Sequence, residues 1–175
     1  MTPKLKESII VLKRINNQLN NVKDALLYAF EKKIDAYNST WNEDEIFKIN
    51  TCVFALTNYS FIWYTSFLDE FNKYFKSSDQ NEQNEILKIK KNSKKYTKNI
   101  KEIFGDIKTA RNLVLAHGYR NGDRILTNEE INKYFNQLSN FDSHTPFLQI
   151  SNITSIIIKE IEKVFGEISE AEISL

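Results

Sequence analysis

Residues 44–76 read DEIFKINTCVFALTNYSFIWYTSFLDEFNKYFK, and the way this stretch folds decides the architecture. Its centre is rich in aromatics, as a strand would be. Yet Ile46, Ile49, Val53, Leu56, Phe61, Tyr64, Leu68, Phe71 and Phe75 keep a helical period, and no turn residue interrupts them. The stretch is therefore expected to be one helix, capped by Asn42 or Asp44 and ending near Lys76. It is also the richest apolar run of the chain. Thr57, Asn58, Ser60, Thr65 and Ser66 break it well short of the roughly 18 uninterrupted apolar residues that a membrane span needs. Its single cysteine, Cys52, excludes an intramolecular disulfide and a Cys-based zinc cluster. In the setting Cys52-Val53-Phe54-Ala55-Leu56 the thiol reads as buried and inert.

Helical patterns extend in both directions from this stretch. Thr2-Pro3 is an N-cap followed by proline at the first helical position. Leu5, Ile9, Leu12, Ile15, Leu19, Val22, Leu26, Phe30, Ile34 and Tyr37 then mark a long amphipathic helix, softened at Asn20-Asn21. On the other side, Ser77-Ser78-Asp79 forms a loop before a polar helix from about Asn81 to Lys101. Gly105-Asp106 marks a stop or kink, and a further helix runs from Ile107 to His117, where Gly118 ends it. Residues 118–126 form a loop around an Asn121-Gly122 turn. Thr127 and Glu130 make a capping box for a short helix. Thr145-Pro146 opens the last helix, with Ile153, Ile156, Ile157, Val164, Phe165 and Ile168 turned inward. The expected fold is all-α: one domain over residues 1–175, an up-and-down bundle of four main helices plus one or two short ones.

Gly and Pro number six in 175 residues, far below the roughly 12% of an average chain. That excludes β-sandwiches, barrels and Gly-rich nucleotide-binding folds. HExxH, CxxC and Walker patterns are absent, so neither a metal nor an organic cofactor is expected. The first residues lack the apolar core of a signal peptide, which leads to the expectation of a soluble, cytoplasmic protein. The net charge is only +1, but it is segregated: residues 88–124 carry +8 and the remainder −7. Lys91, Lys94, Lys95, Lys98 and Lys101 recur at spacings that keep them on one side of a helix. Such a row is either a solvated face or a surface that tracks phosphates. Three of the four arginines, Arg111, Arg120 and Arg124, fall within the basic segment, together with His117, Gly118 and Gly122.

The stretch Arg111-Asn112-Leu113-Val114-Leu115-Ala116-His117-Gly118-Tyr119-Arg120 resembles the HEPN superfamily signature of Arg, a polar residue, a short spacer and His. Five residues separate Arg111 from His117, within the family's range of four to six. Ala116-His117 and the basic loop after it are similar to the abortive-infection branch, as is the acidic Leu68-Asp69-Glu70 of the aromatic helix. His117-Gly118-Tyr119 resembles the His-x-Tyr of HEPN toxins whose tyrosine a nucleotidyltransferase antitoxin adenylylates. The resemblance spans roughly residues 40–125. It implies a homodimeric, metal-independent endoribonuclease of a toxin–antitoxin or antiviral system, with Arg111, Asn112 and His117 catalytic. Asp69, Glu70 and Tyr119 are implied as supporting residues, and Lys91, Lys94, Lys95, Lys98, Lys101, Arg120 and Arg124 as RNA-binding ones. A non-catalytic HEPN-like module that binds RNA or protein is the alternative.

The chemistry is consistent with these residue types. RNA carries its own nucleophile, the 2′-OH, so forming a 2′,3′-cyclic phosphate requires a proton carrier and a cation for the phosphorane. An imidazole with an unperturbed pKa near 6.5 suits the first role. A planar guanidinium suits the second. On an ideal helix Arg111 and His117 stand about 120° apart and roughly 9 Å along the axis. One phosphate then meets both only if the helix is distorted or two helices face each other, and the latter favours a dimer. The structural readings are a His117 that caps carbonyls and an Arg111 that pairs with Asp69 or Glu70. His144 has no neighbours that would complete a site.

Overall fold

Proline at the first helical position starts α1 (Pro3–Asn38), which runs 36 residues without a break. The computed structural model describes residues 1–38, 43–104, 120–121, 124–125 and 145–168. Within these, α2 spans Glu43–Asp69 and passes into a π-helical turn, Glu70–Tyr74. Next come α3 (Gln80–Phe104), a short antiparallel ladder of β1 (Arg120–Asn121) and β2 (Arg124–Ile125), and α4 (Thr145–Phe165). The protein is an all-α helical bundle, as its periodicity implies. No helix among the described residues is long and apolar enough to cross a membrane.

Side-chain bonds show the directions of the helices. Ser8 of α1 donates to Glu70 at the far end of α2, so these two helices are antiparallel. Thr2 and Glu82 join the starts of α1 and α3, which therefore begin at the same end. Along α1 and α4 the numbers run in opposite senses: Lys13 pairs with Glu162 at 2.8 Å, Asn16 accepts from Ser155, and Asn20 accepts from Ser151. The helices thus alternate up and down around one core. Leu5, Ile9, Leu12, Ile15, Leu19, Val22 and Leu26 supply its α1 side. Phe61, Tyr64, Phe67, Phe71 and Phe75 face them, and Ile86, Ile89, Ile150, Ile157 and Ile161 close it.

Several expectations are corrected. Asn20 does not soften α1; Asn16 and Asn20 lie one turn apart and bind Ser155 and Ser151, themselves one turn apart on α4. Thr2 does not cap α1 with its hydroxyl, which binds Glu82 and Ser77; its carbonyl accepts the Lys6 amide. Asp44 lies inside the first turn of α2, so it is not the cap, and Asn42 is outside the described residues. Cys52 is exposed, because it stands about 140° around the axis from buried Thr57. Ile34, Ile156 and Val164 are also exposed, while Ile150, Ile158 and Ile161 carry the inner face of α4. The segment read as a loop around Asn121-Gly122 contains the β1–β2 ladder, in which Arg120 pairs with Ile125 and Asn121 with Arg124. The expected helices over 107–117 and 127–138 lie outside the described residues.

The expected helix end near Lys76 is realised by a change of helix type. Positions four apart on an α-helix drift by about 40°, which would carry a Phe67, Phe71, Phe75 series off the core. The wider π turn rotates less per residue and takes that drift back. All three rings are buried, stacked at 6.2 and 5.6 Å with interplanar angles of 16° and 15°. The Phe75 amide closes the turn on the Glu70 carbonyl at 2.9 Å.

Candidate nucleic-acid interface

The lysine row stands on α3, whose start is well defined. Asp79 Oδ1 accepts the amides of Asn81 and Glu82, each at 2.9 Å, as an N-cap does. Ile86, Ile89 and Ser93 then face the core. Lys91, Lys94, Lys95 and Lys98 are exposed on the opposite side, within about 100° of arc. Among the described residues no ion pair engages Lys91, Lys94 or Lys95. Lys95 instead lies 4.7 Å from the centre of the Tyr96 ring. Lys101 belongs to the same helix three residues beyond Lys98. The structure thus gathers Lys91, Lys94, Lys95 and Lys98 on one exposed face, with Lys91, Lys94 and Lys95 outside any ion pair among the described residues.

The two neighbouring lysines behave differently. Lys88 is engaged by Glu85 at 2.6 Å. Lys90 is half-buried, 5.8 Å from both the Phe71 and the Phe75 rings, and donates to the Asn72 carbonyl at 3.3 Å. Burial lowers its pKa below the ordinary lysine value, with the charge of Lys76 adding to the effect. Lys90 therefore ties α3 to the π turn and leaves the exposed face to its neighbours.

Asp69 and Glu70 are adjacent in sequence but diverge in space. Asp69 pairs with Lys73 at 3.0 Å, one turn along. Glu70 accepts from the buried Ser8 hydroxyl at 2.5 Å and lines an open groove with Lys4, Glu7, Tyr74 and Lys76. Both stand at the level of Lys90, which contacts the same π turn. From there α3 runs fourteen residues further, about 21 Å, before Phe104. The carboxylates and the end of α3 are thus at opposite ends of the lysine face.

Arg111, Asn112, His117 and Tyr119 lie outside the described residues, as does His144. Arg120 and Arg124 occupy different rungs of the β1–β2 ladder. Among the described residues no group of three His, Cys, Asp or Glu side chains converges as a metal site would require.

Sequence reasoning missed Glu82. Its carboxylate accepts from the Thr2 amide at 3.0 Å, the Thr2 hydroxyl at 3.0 Å and the Ser77 hydroxyl at 2.5 Å. The Ser77 bond is the chief cause of a pKa below the ordinary glutamate value, reinforced by Thr2 and opposed by desolvation. The signal was present: Asp79-x-x-Glu82 before Ile86 is a capping-box pattern. Three buried polar atoms, Asn58 Oδ1, Trp63 Nε1 and Tyr64 OH, find no hydrogen-bond partner among the described residues. Burial raises the pKa of the Tyr64 hydroxyl. No protein-family model, curated protein or solved structure matches the chain.

Proposed function

We propose that the chain is a metal-independent endoribonuclease of a toxin–antitoxin or antiviral defence system, acting as a homodimer. The observation that supports this reading is the exposed face of α3, on which Lys91, Lys94 and Lys95 make no ion pair among the described residues and which precedes the Arg111-Asn112…His117 stretch in the sequence. Unneutralised lysines on one helix face bind a phosphate backbone through counterion release, without reading bases. In the reaction, His117 takes the proton of a ribose 2′-OH as its oxygen attacks the adjacent phosphorus. The bond to the 5′-oxygen breaks, leaving a 2′,3′-cyclic phosphate, and the departing 5′-oxygen takes up a proton from water to become a 5′-OH while the imidazolium returns its proton to solvent. Arg111 neutralises the non-bridging oxygens, and Asn112 orients the imidazole or a phosphate oxygen. The His117-Gly118-Tyr119 resemblance supports a nucleotidyltransferase-type antitoxin as partner.

The second reading, a non-catalytic module that binds RNA, draws on the same lysine face. Incubation with RNA in EDTA separates the two. The enzyme is expected to cleave, with His117→Ala and Arg111→Ala each slowing cleavage by about 10²-fold or more while helicity and RNA retention persist. RNA retained without cleavage in the wild type would establish the binding module instead. Wild-type rates in both variants would remove Arg111 and His117 from the site.

A further inference from the structure

Helix α2 buries one side against the core through Thr57, Ser60, Phe61, Tyr64 and Phe67. Its outer side carries an unusual surface. From Ile49 to Leu68, twenty consecutive residues, there is no formal charge. Thr51, Ala55, Tyr59 and Ile62 fall within about 80° of arc, with Phe47 and Phe54 flanking them on one side and Cys52 on the other. Phe47 is 72% exposed, Phe54 46%, Tyr59 43% and Ile62 39%. Together they present roughly 400 Å² of mainly apolar side chain, given 150–250 Å² per large ring.

We propose that this outer face of α2, from Phe47 to Ile62, is where two copies of the chain pack, antiparallel across Ala55. The inference rests on the dimeric reading above and deepens it by naming the surface. Charge argues for a second copy as the occupant. In a two-fold interface each residue near the axis meets its own copy, so any charge there meets a like charge. A twenty-residue uncharged run avoids that repulsion around Ala55, and the exposed Lys48 just before it stands seven residues from the axis, about 21 Å from its own copy. Charge also sets the direction. A parallel pair would bring two Glu43-Asp44-Glu45 ends together, whereas an antiparallel pair sets each against uncharged residues near Thr65 and opposes the helix dipoles. Thr51 and Ala55 are small enough to let the helices approach closely at the axis, and the aromatic side chains seal the flanks. The exposed rings and Ile62 supply about half of the ~800 Å² that one protomer gives to a standard interface.

The test compares the full chain with a charge variant by sedimentation velocity over a range of concentrations, and with two cysteine variants by oxidative cross-linking. The wild type is expected to sediment as a dimer. Ala55→Asp is expected to weaken association by about 100-fold or more with unchanged helicity, because Ala55 is exposed and, at the axis, its replacement meets its own copy. Ala55→Cys in a Cys52→Ser background is expected to oxidise to a covalent dimer, while Leu87→Cys, on exposed α3 surface, does not. A wild-type dimer that Ala55→Asp leaves intact, with Ala55→Cys failing to cross-link beyond Leu87→Cys, would overturn this surface and leave the dimeric reading standing. A wild-type mass of 20.6 kDa at every concentration would overturn the dimeric reading and the surface with it.

Discussion

Glu82 holds together the first turns of α1 and α3, eighty residues apart, by accepting from Thr2 and Ser77. Because these bonds require the ionised carboxylate, its folded pKa lies below the unfolded one, and the sign of the pH effect follows. The stabilisation is fully present above the unfolded value near 4.3 and is lost as pH falls through the lowered folded value. Glu82→Gln keeps the shape but loses the charge. Its melting temperature is expected below that of the wild type at pH 7, with the gap closing in acid. Thermal melts from pH 7 to pH 3 follow this directly, and a gap independent of pH would remove Glu82's ionisation from the account. Lys90, at the same end of the bundle, makes the opposite compromise: it keeps a charge in a half-buried place with two rings and one carbonyl for company.

At the scale of elements, the pairing of α1 with α4 shows what periodicity can and cannot reveal. The apolar stripe of α1 from Leu5 to Leu26 was legible residue by residue and is buried throughout. Asn16 and Asn20 were not, because a polar residue on an inward face reads as a weakness until its partner is known. Their partners, Ser155 and Ser151, are about 130 residues away, a separation beyond the reach of local patterns. Cys52 misled for a related reason: an apolar sequence neighbourhood says nothing of which side of the helix a residue occupies. The π turn was illegible too, since four-residue spacing of Phe67, Phe71 and Phe75 looks helical in either form. Of the candidate site, the lysine face was legible from spacing alone, and the divergence of Asp69 and Glu70 was not, because adjacent residues on a helix point in different directions. Asn20→Ala leaves the buried Ser151 hydroxyl without its acceptor, which is expected to destabilise by about 1–3 kcal/mol. The double variant Asn20→Ala/Ser151→Ala removes both groups, so its loss should be smaller than the sum of the two single losses. Urea titration of all four proteins measures the coupling, and strict additivity would show that the bond adds nothing.

For the whole molecule, the decisive quantity is how its near-zero net charge is distributed. A total of +1 gives no long-range attraction to a polyanion, so any affinity for RNA has to arise locally. A place for it among the described residues is the α3 face on which Lys91, Lys94 and Lys95 lack anionic partners. Each lysine that neutralises a phosphate of single-stranded RNA adds about 0.7 to the magnitude of the log-affinity against log-salt slope. The triple variant Lys91→Gln/Lys94→Gln/Lys95→Gln is therefore expected to flatten that slope by about 2 if all three engage phosphates. Lys88→Gln, whose ammonium is already held by Glu85 at 2.6 Å, is expected to leave it nearly unchanged. Fluorescence anisotropy with labelled RNA between 50 and 300 mM salt, on the order of the range where such slopes are resolved, distinguishes the two variants. Equal slopes for the wild type and the triple variant would mean that the row is a solvated face and that RNA is held elsewhere. A slope that flattens with sequence preference unchanged would mark the row as a backbone contact, leaving specificity to residues outside α3.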